Sequence, residues 1–257
     1  MESTPLVIGA AIVGVQRAGT SSLAATLASH PGICLAEGKE AHLFDLAGVQ
    51  AAGPDPARLE ELFAHRSAGQ LLLDATPAYV YMPGCIEALK RHNPEMRIIA
   101  VLRDPAERAR SQHALELARG WEDLSFPAAL RAERRRLSED PDPMRLRSPS
   151  RIYAYRSRGR YAAQVARVLK HFPDALFLRF DDLVERPEAT VERMIEHLGL
   201  DVTQAGEPLK KLNTARAEER SWREVLLRRE LAGDARRTEQ LLGWPRGSIA
   251  KARAPRP

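Results

Sequence analysis

The sequence is poor in cysteine and lysine and has no long apolar run. Its two cysteines, Cys34 and Cys85, show no Cys-x-x-Cys or Cys–His spacing. Neither a zinc site nor a disulfide framework is therefore indicated, and a reducing, cytoplasmic setting is expected. The longest apolar run, Leu6 to Val15, falls well short of the roughly 20 residues that cross a bilayer, and no basic segment precedes it as in a signal peptide. No membrane span is expected. With 16 Gly and 18 Pro in 257 residues, a collagenous or low-complexity chain is excluded, and a hydrophobic content of 44% is too high for a wholly disordered one.

What is abundant is arginine: 33 of the 39 basic residues, against 34 acids, for a formal net charge of +5. Guanidinium groups suit planar recognition of phosphate-like oxyanions, and the same bias follows from a GC-rich bacterial genome. From 131 to 160 the arginines concentrate, interrupted by Pro141, Pro143 and Pro149, which predicts an insertion or lid on a single domain spanning 1–257. That stretch reads equally as a solvated surface or as a face for polyanions. No nucleic-acid module surrounds it, so no nucleic-acid partner is expected. Residues 247–257 are expected to form a flexible tail.

Leu6 to Gly14 is apolar without alternation, the pattern of a strand buried on both faces of a parallel sheet. Leu71–Asp74, Arg97–Leu102 and Ala175–Phe180 repeat it. Helices are predicted over Thr20–Ser29, Pro105–Arg119 and Glu188–Leu198, the last closed by Gly199. Strands alternating with helices imply an α/β, P-loop-like three-layer fold with a central parallel sheet flanked by helices.

Between the first strand and helix, Gly14-Val15-Gln16-Arg17-Ala18-Gly19-Thr20-Ser21 has the two glycines of a phosphate-binding loop at the correct spacing. Such a loop aims backbone N–H groups at an anion, and the helix N-terminus adds a favourable field. The lysine that a nucleoside triphosphatase places after the second glycine is Thr20, and the basic residue sits earlier, at Arg17. The loop therefore suits a smaller terminal group on one 5′-phosphate, with Thr20, Ser21 and Ser22 supplying hydroxyls. Arg103, expected at the C-terminal end of a buried strand, and Ser111, two turns into the next helix, form a second constellation. A third, Lys39-Glu40-Ala41-His42-Leu43-Phe44-Asp45, offers a carboxylate and an imidazole.

Taken together, these segments with Ala75-Thr76-Pro77-Ala78-Tyr79 and Leu102-Arg103-Asp104-Pro105-Ala106-Glu107-Arg108 resemble, in order and spacing, the sulfotransferases that use 3′-phosphoadenosine 5′-phosphosulfate (PAPS). The resemblance is above all to domains that modify heparan sulfate and to their bacterial relatives. Tyr161, His171-Phe172-Pro173 and the stretch from Phe180 to Leu200 also look like that family. The resemblance covers most of residues 6–200. It implies that Gln16, Arg17, Ala18, Gly19, Thr20, Ser21 and Ser22 bind the 5′-phosphosulfate, that Arg103 and Ser111 bind the 3′-phosphate, and that Tyr161, Arg220 and Ser221 complete the nucleotide site. Glu40 falls on the family's general base, with Arg17 stabilising the leaving phosphate and His42 orienting Glu40 or the acceptor.

Two family lysines are replaced here, one by Arg17 and one by Ala75. The C-terminal cysteine pair of the animal enzymes is missing, and Asn213-Thr214 with Arg220-Ser221 resembles a bacterial pattern that closes over the nucleotide. The implied reaction moves the sulfuryl group of PAPS to a hydroxyl or amine of a glycan, glycolipid or secondary-metabolite acceptor. It releases adenosine 3′,5′-bisphosphate and needs no metal. Two rivals remain open at this level: a P-loop kinase or nucleoside triphosphatase with Leu71–Asp74 as its Mg²⁺-holding strand, and a non-catalytic nucleotide- or polyanion-binding module.

Overall fold

The computed structural model describes residues 5–206, 209 and 222–250. In chain order its elements are β1 (Ala10–Gly14), α1 (Thr20–Ala28), β2 (Ile33–Leu35), α2 (Val49–Ala52), α3 (Pro56–Leu62), β3 (Leu71–Asp74), α4 (Cys85–His92), β4 (Arg97–Leu102) and α5 (Pro105–Ala118), followed by α6 (Phe126–Ser138), α7 (Pro149–Ile152), α8 (Tyr161–His171), β5 (Leu176–Arg179), α9 (Phe180–Glu185), α10 (Pro187–His197) and α11 (Trp222–Leu241). The chain divides into two compact units, residues 1–101 with 167–213 and residues 102–166 with 214–257.

The first unit is built on a five-stranded parallel sheet of order β2-β3-β1-β4-β5, flanked by helices. This is the α/β architecture that the alternating pattern predicts. All five residues of β1 are buried, as required of a central strand with neighbours on both edges. Ala10 pairs with Leu73 of β3 on one side and with Arg97 of β4 on the other. The strand begins later than its apolar run. At Ile8 the backbone N–H donates to His92 Nε2 at the end of α4 (3.0 Å) rather than to a neighbouring strand, and Val7 is exposed.

The chain leaves β1 toward the β2/β3 side and later returns to the β4 side, so the sheet has its topological switch at β1. Open α/β sheets bind ligands outside the carboxyl ends of strands at such a point. Gly14 ends β1 where there is no space for a side chain, since a Cβ there would lie 2.4 Å from Val80 Cγ1. Helix α1 then buries Leu23, Ala24 and Leu27, the i, i+1, i+4 face of a short amphipathic helix.

In the second unit, α11 and α5 share an apolar core in which Leu227 and Leu231 join Ala106, Ala109, Leu130 and Tyr155. The arginine-rich stretch 131–160 contributes buried side chains here, including Glu133, Arg151, Ile152, Tyr155 and Arg158. Some of its charges are met by specific partners. Arg136 forks onto Glu122 at 2.7 and 3.1 Å, and Tyr155 donates to the same carboxylate at 2.8 Å. Burial by itself would raise the Glu122 carboxyl, but these donors and the Leu124 N–H outweigh it and hold it at about 2. Residues 247–249, expected to lie in a flexible tail, are held because the buried Glu239 carboxylate accepts from the Gly247 N–H (3.0 Å) and the Ile249 N–H (2.9 Å).

Candidate active site

Three strand ends of the first unit deliver the candidate residues. The segment after β1 is the anion loop, the segment after β2 leads to residues 39–45, and the segment after β3 runs from Asp74 to Tyr79.

The loop is tied down at two points, by Val15 N–H to the Val101 carbonyl (2.9 Å) and Ala18 N–H to the Val15 carbonyl (3.1 Å). Gly19 turns the chain into α1 with a left-handed φ of 78° and offers the helix no side-chain cap. The N–H groups of the first turn, at Thr20, Ser21 and Ser22, have no carbonyl one turn earlier in the helix to accept them. An anion is the natural partner for such a turn. Gln16 Oε1 is buried and has no hydrogen-bond partner among the described residues, an orphaned polar group at the same loop. Thr20 is buried, whereas Ser21 and Arg17 are exposed.

Arg17 has a φ of 72° and His42 a φ of 52°; with Arg147 they are the non-glycine residues found at positive φ among the described residues. Such conformations cost about 1 kcal/mol or more and persist where surrounding structure enforces them, often at functional sites. Two of the three are candidate catalytic residues.

In the second segment, His42 is gripped by Asp45, with Nδ1 to the two carboxylate oxygens at 3.0 and 3.2 Å. A carboxylate partner puts the proton on Nδ1, so Nδ1–H donates and Nε2 is turned to the other side. There Nε2 lies 3.8 Å from Glu40 Oε2. Asp45 is fully buried, while Glu40 and His42 are partly open to solvent. The arrangement is a buried carboxylate orienting an imidazole that faces a second, accessible carboxylate. Lys39, next in the chain to Glu40, donates from Nζ to Ser21 Oγ at 3.1 Å. That bond joins this segment to the first turn of α1.

The third segment supports the second. Tyr79 OH accepts from the Leu43 N–H (2.9 Å) and donates to Asp74 Oδ2 (2.5 Å), while Thr76 Oγ1 donates to Asp74 Oδ1 (2.8 Å). The Tyr79 ring also meets Phe44 edge-on at 5.7 Å. Burial pushes the Asp74 carboxyl up to about 6, against the pull of the two hydroxyl donors, and burial together with Asp74 drives the Tyr79 phenol well above its ordinary value. Both Asp74 oxygens are thus committed, Oδ1 to Thr76 and Oδ2, through Tyr79, to the loop that carries His42. Ala75, beside it, is buried and supplies no charge.

In the second unit, Arg103 follows β4 directly and pairs with Glu107 (3.7 Å), one turn before Ser111 on the same face of α5. Asp104 caps α5 by accepting from the Ala106 and Glu107 N–H groups, both at 3.0 Å, and also takes Arg228 Nε at 2.6 Å. Arg228 Nη2 reaches Glu107 Oε1 at 3.2 Å. Tyr161 is fully buried, and its hydroxyl donates to the Arg103 carbonyl (2.9 Å). Arg220 and Ser221, with Asn213 and Thr214, lie outside the described residues.

Sequence reasoning included Lys39, Asp45 and Tyr79 in their motifs but gave none of them a role. A Lys beside a Glu reads as solvated charge, and only its bond to a serine 18 positions earlier shows otherwise. For Asp45, the i, i+3 spacing from His42 was the available signal.

Residues 43–204 match the model of the sulfotransferase family, a span that begins after the anion loop and Glu40. The chain is 31% identical over 193 residues to human heparan sulfate glucosamine 3-O-sulfotransferase 6, covering 74% of this chain and 52% of that protein. It is 28% identical over 196 residues to mouse heparan sulfate glucosamine 3-O-sulfotransferase 3B1, covering 74% of this chain and 46% of the relative. The chain thus spans about half the length of these mammalian relatives. A solved sulfotransferase from Alicyclobacillus acidocaldarius superposes with a TM-score of 0.76 at 26% identity, over 93% of this chain and 97% of that one. Among the described residues no helix is long and apolar enough to cross a membrane.

Proposed function

The chain belongs to the sulfotransferase family, and from that premise we propose that it transfers the sulfuryl group of PAPS to a hydroxyl of a glycan, glycolipid or secondary-metabolite acceptor. The observation that carries this reading is the Lys39–Ser21 hydrogen bond. It ties the segment that carries Glu40, the residue we take as general base, to the uncapped start of α1. The residues fit the donor's anionic end: a first helical turn without a side-chain cap, and the cation Arg17 in the same loop.

The N–H groups and hydroxyls of Gln16 to Ser22 hold the 5′-phosphosulfate end, and Arg17 faces charge that builds on the leaving phosphate, help of the preorganised electrostatic kind. When bound, PAPS supplies an activated sulfuryl group whose bond to the 5′-phosphate oxygen breaks as the acceptor oxygen bonds to sulfur. Glu40 takes the proton from that acceptor hydroxyl. His42, fixed by Asp45, orients Glu40. Arg103 and Ser111 hold the 3′-phosphate, and Tyr161 contributes by fastening the Arg103 carbonyl. Arg220 and Ser221 belong to this proposal through the family pattern alone.

A kinase reading requires Asp74 to hold Mg²⁺. Both its oxygens instead accept hydroxyl hydrogen bonds inside a fully buried site, which favours a structural carboxylate.

Thermal melting with nucleotides separates the readings. A ligand bound only by the native state stabilises it by RT ln(1 + [L]/Kd), about 2.7 kcal/mol at a hundredfold excess over Kd. Adenosine 3′,5′-bisphosphate is expected to raise the Tm by several degrees, with ATP, with or without Mg²⁺, giving little. A shift confined to ATP with Mg²⁺ would overturn the donor assignment.

A further inference from the structure

The donor reading leaves one cation unused. Lys39 is half-buried, and burial pushes its ammonium below the ordinary lysine value, against the opposing pull of Glu40 and Asp74. Among the described residues no carboxylate lies within salt-bridge distance of Nζ, and its one hydrogen bond goes to Ser21 Oγ at 3.1 Å. An ammonium carries three donors, so two are left for other acceptors.

Its location is electrostatically adverse. The start of a helix bears about half a positive charge, which repels a cation by roughly 0.3–1 kcal/mol. A lysine kept there is partly desolvated, has no carboxylate in contact among the described residues, and is drawn only at longer range by Glu40 and Asp74. An anion seated on the first turn of α1 removes the conflict, because it is attracted to both the helix N-terminus and the ammonium. Lys39 and the loop converge on that anion from different strand ends, β2 and β1. Lys39 is also the immediate neighbour of Glu40, so a group it contacts lies next to the proposed base.

We propose that Lys39 is a further catalytic residue, whose ammonium donates to the oxygens of the transferring sulfuryl group while the Ser21 hydroxyl fixes its position. In the transfer, the acceptor oxygen forms the new bond to sulfur and its proton goes to Glu40. The bond from sulfur to the bridging oxygen breaks, and its electron pair leaves with the 5′-phosphate of adenosine 3′,5′-bisphosphate. Lys39 holds the sulfuryl oxygens in place throughout and neither gains nor loses a proton.

This inference rests on the PAPS reading, so wild-type nucleotide binding and transfer are measured first and decide that reading by themselves. The variants K39M and K39R then decide the role of Lys39, each checked for an unchanged melting temperature. K39M is expected to lower kcat roughly tenfold, the size of one charge-assisted hydrogen bond. Its Kd for adenosine 3′,5′-bisphosphate, which lacks the sulfuryl group, should change less than twofold. K39R should recover part of the rate and move the alkaline limb of the kcat profile to higher pH, since a guanidinium keeps its proton. An unchanged kcat in K39M overturns the proposal. So does a loss of adenosine 3′,5′-bisphosphate affinity as large as the loss of rate, which would place Lys39 on the phosphate, and so does an alkaline limb that stays fixed in K39R.

Discussion

Replacing Glu40 by glutamine is expected to reduce sulfuryl transfer by about 10²- to 10⁴-fold, the usual worth of general-base assistance. The substitution keeps size and hydrogen-bonding capacity but removes the group that accepts the proton. The proposal puts Glu40 on the acceptor side of the site; in the structure it is partly exposed, with His42 Nε2 at 3.8 Å. Binding of adenosine 3′,5′-bisphosphate, measured by calorimetry, should therefore stay within about twofold of wild type. Turnover in Glu40→Gln equal to wild type across several acceptors would remove Glu40 from the mechanism. A parallel loss of nucleotide affinity would make it a structural residue of the loop.

Arg103→Ala should weaken adenosine 3′,5′-bisphosphate far more than adenosine 5′-phosphate. Charge-assisted hydrogen bonds contribute roughly 1.5–3 kcal/mol, so a loss of about 10- to 150-fold is expected for the bisphosphate. Ser111→Ala should show the same selectivity with a smaller loss. Arg103 is set up for such a task by its surroundings. Tyr161 fixes its carbonyl, while Glu107 is shared with Arg228, which also binds the Asp104 cap. Arg228 thereby takes up part of the negative charge that Arg103 alone would otherwise have to balance. Equal weakening of both nucleotides would mean that Arg103 acts on the fold and not on the 3′-phosphate.

The parts of the fold written as uninterrupted apolar runs were legible from sequence. Leu71–Asp74 and Arg97–Leu102 are β3 and β4 as predicted, and Gly14 to Ser29 forms the expected turn and helix, which ends at Ala28. The three-residue β2 was not legible, because an edge strand this short pairs only with β3 and carries no periodicity. The stretch 131–160 was legible in part: Arg131, Arg134, Arg135, Arg145, Arg147 and Arg160 are exposed, as a solvated surface requires. Arginine counts as solvent-facing in any composition argument, yet Arg151 and Arg158 are buried here with their guanidinium groups donating to backbone carbonyls. Pairing decides the burial of charge, and pairing is a tertiary property.

The site was readable in a similar proportion. The loop and Glu40 are proposed from the order of motifs, and the i, i+3 spacing of His42 and Asp45 is a local signal, whereas the support of Leu43 by Tyr79 joins residues 36 apart and no local pattern encodes it. Asp74 shows the limit most clearly. As the last residue of an apolar strand it fits a Mg²⁺-holding aspartate, and only Thr76 and Tyr79 closing on both its oxygens assign it to the scaffold.

The central claim is the transfer itself, and the direct measurement is the fate of labelled sulfate from PAPS in excess EDTA, over a panel of glycan, glycolipid and phenolic or alcohol acceptors. The account predicts that label passes to at least one acceptor, that one adenosine 3′,5′-bisphosphate is released per sulfate transferred, and that Glu40→Gln suppresses both. Absence of binding to adenosine 3′,5′-bisphosphate, together with ATP hydrolysis that Mg²⁺ restores and Asp74→Asn abolishes, would contradict it.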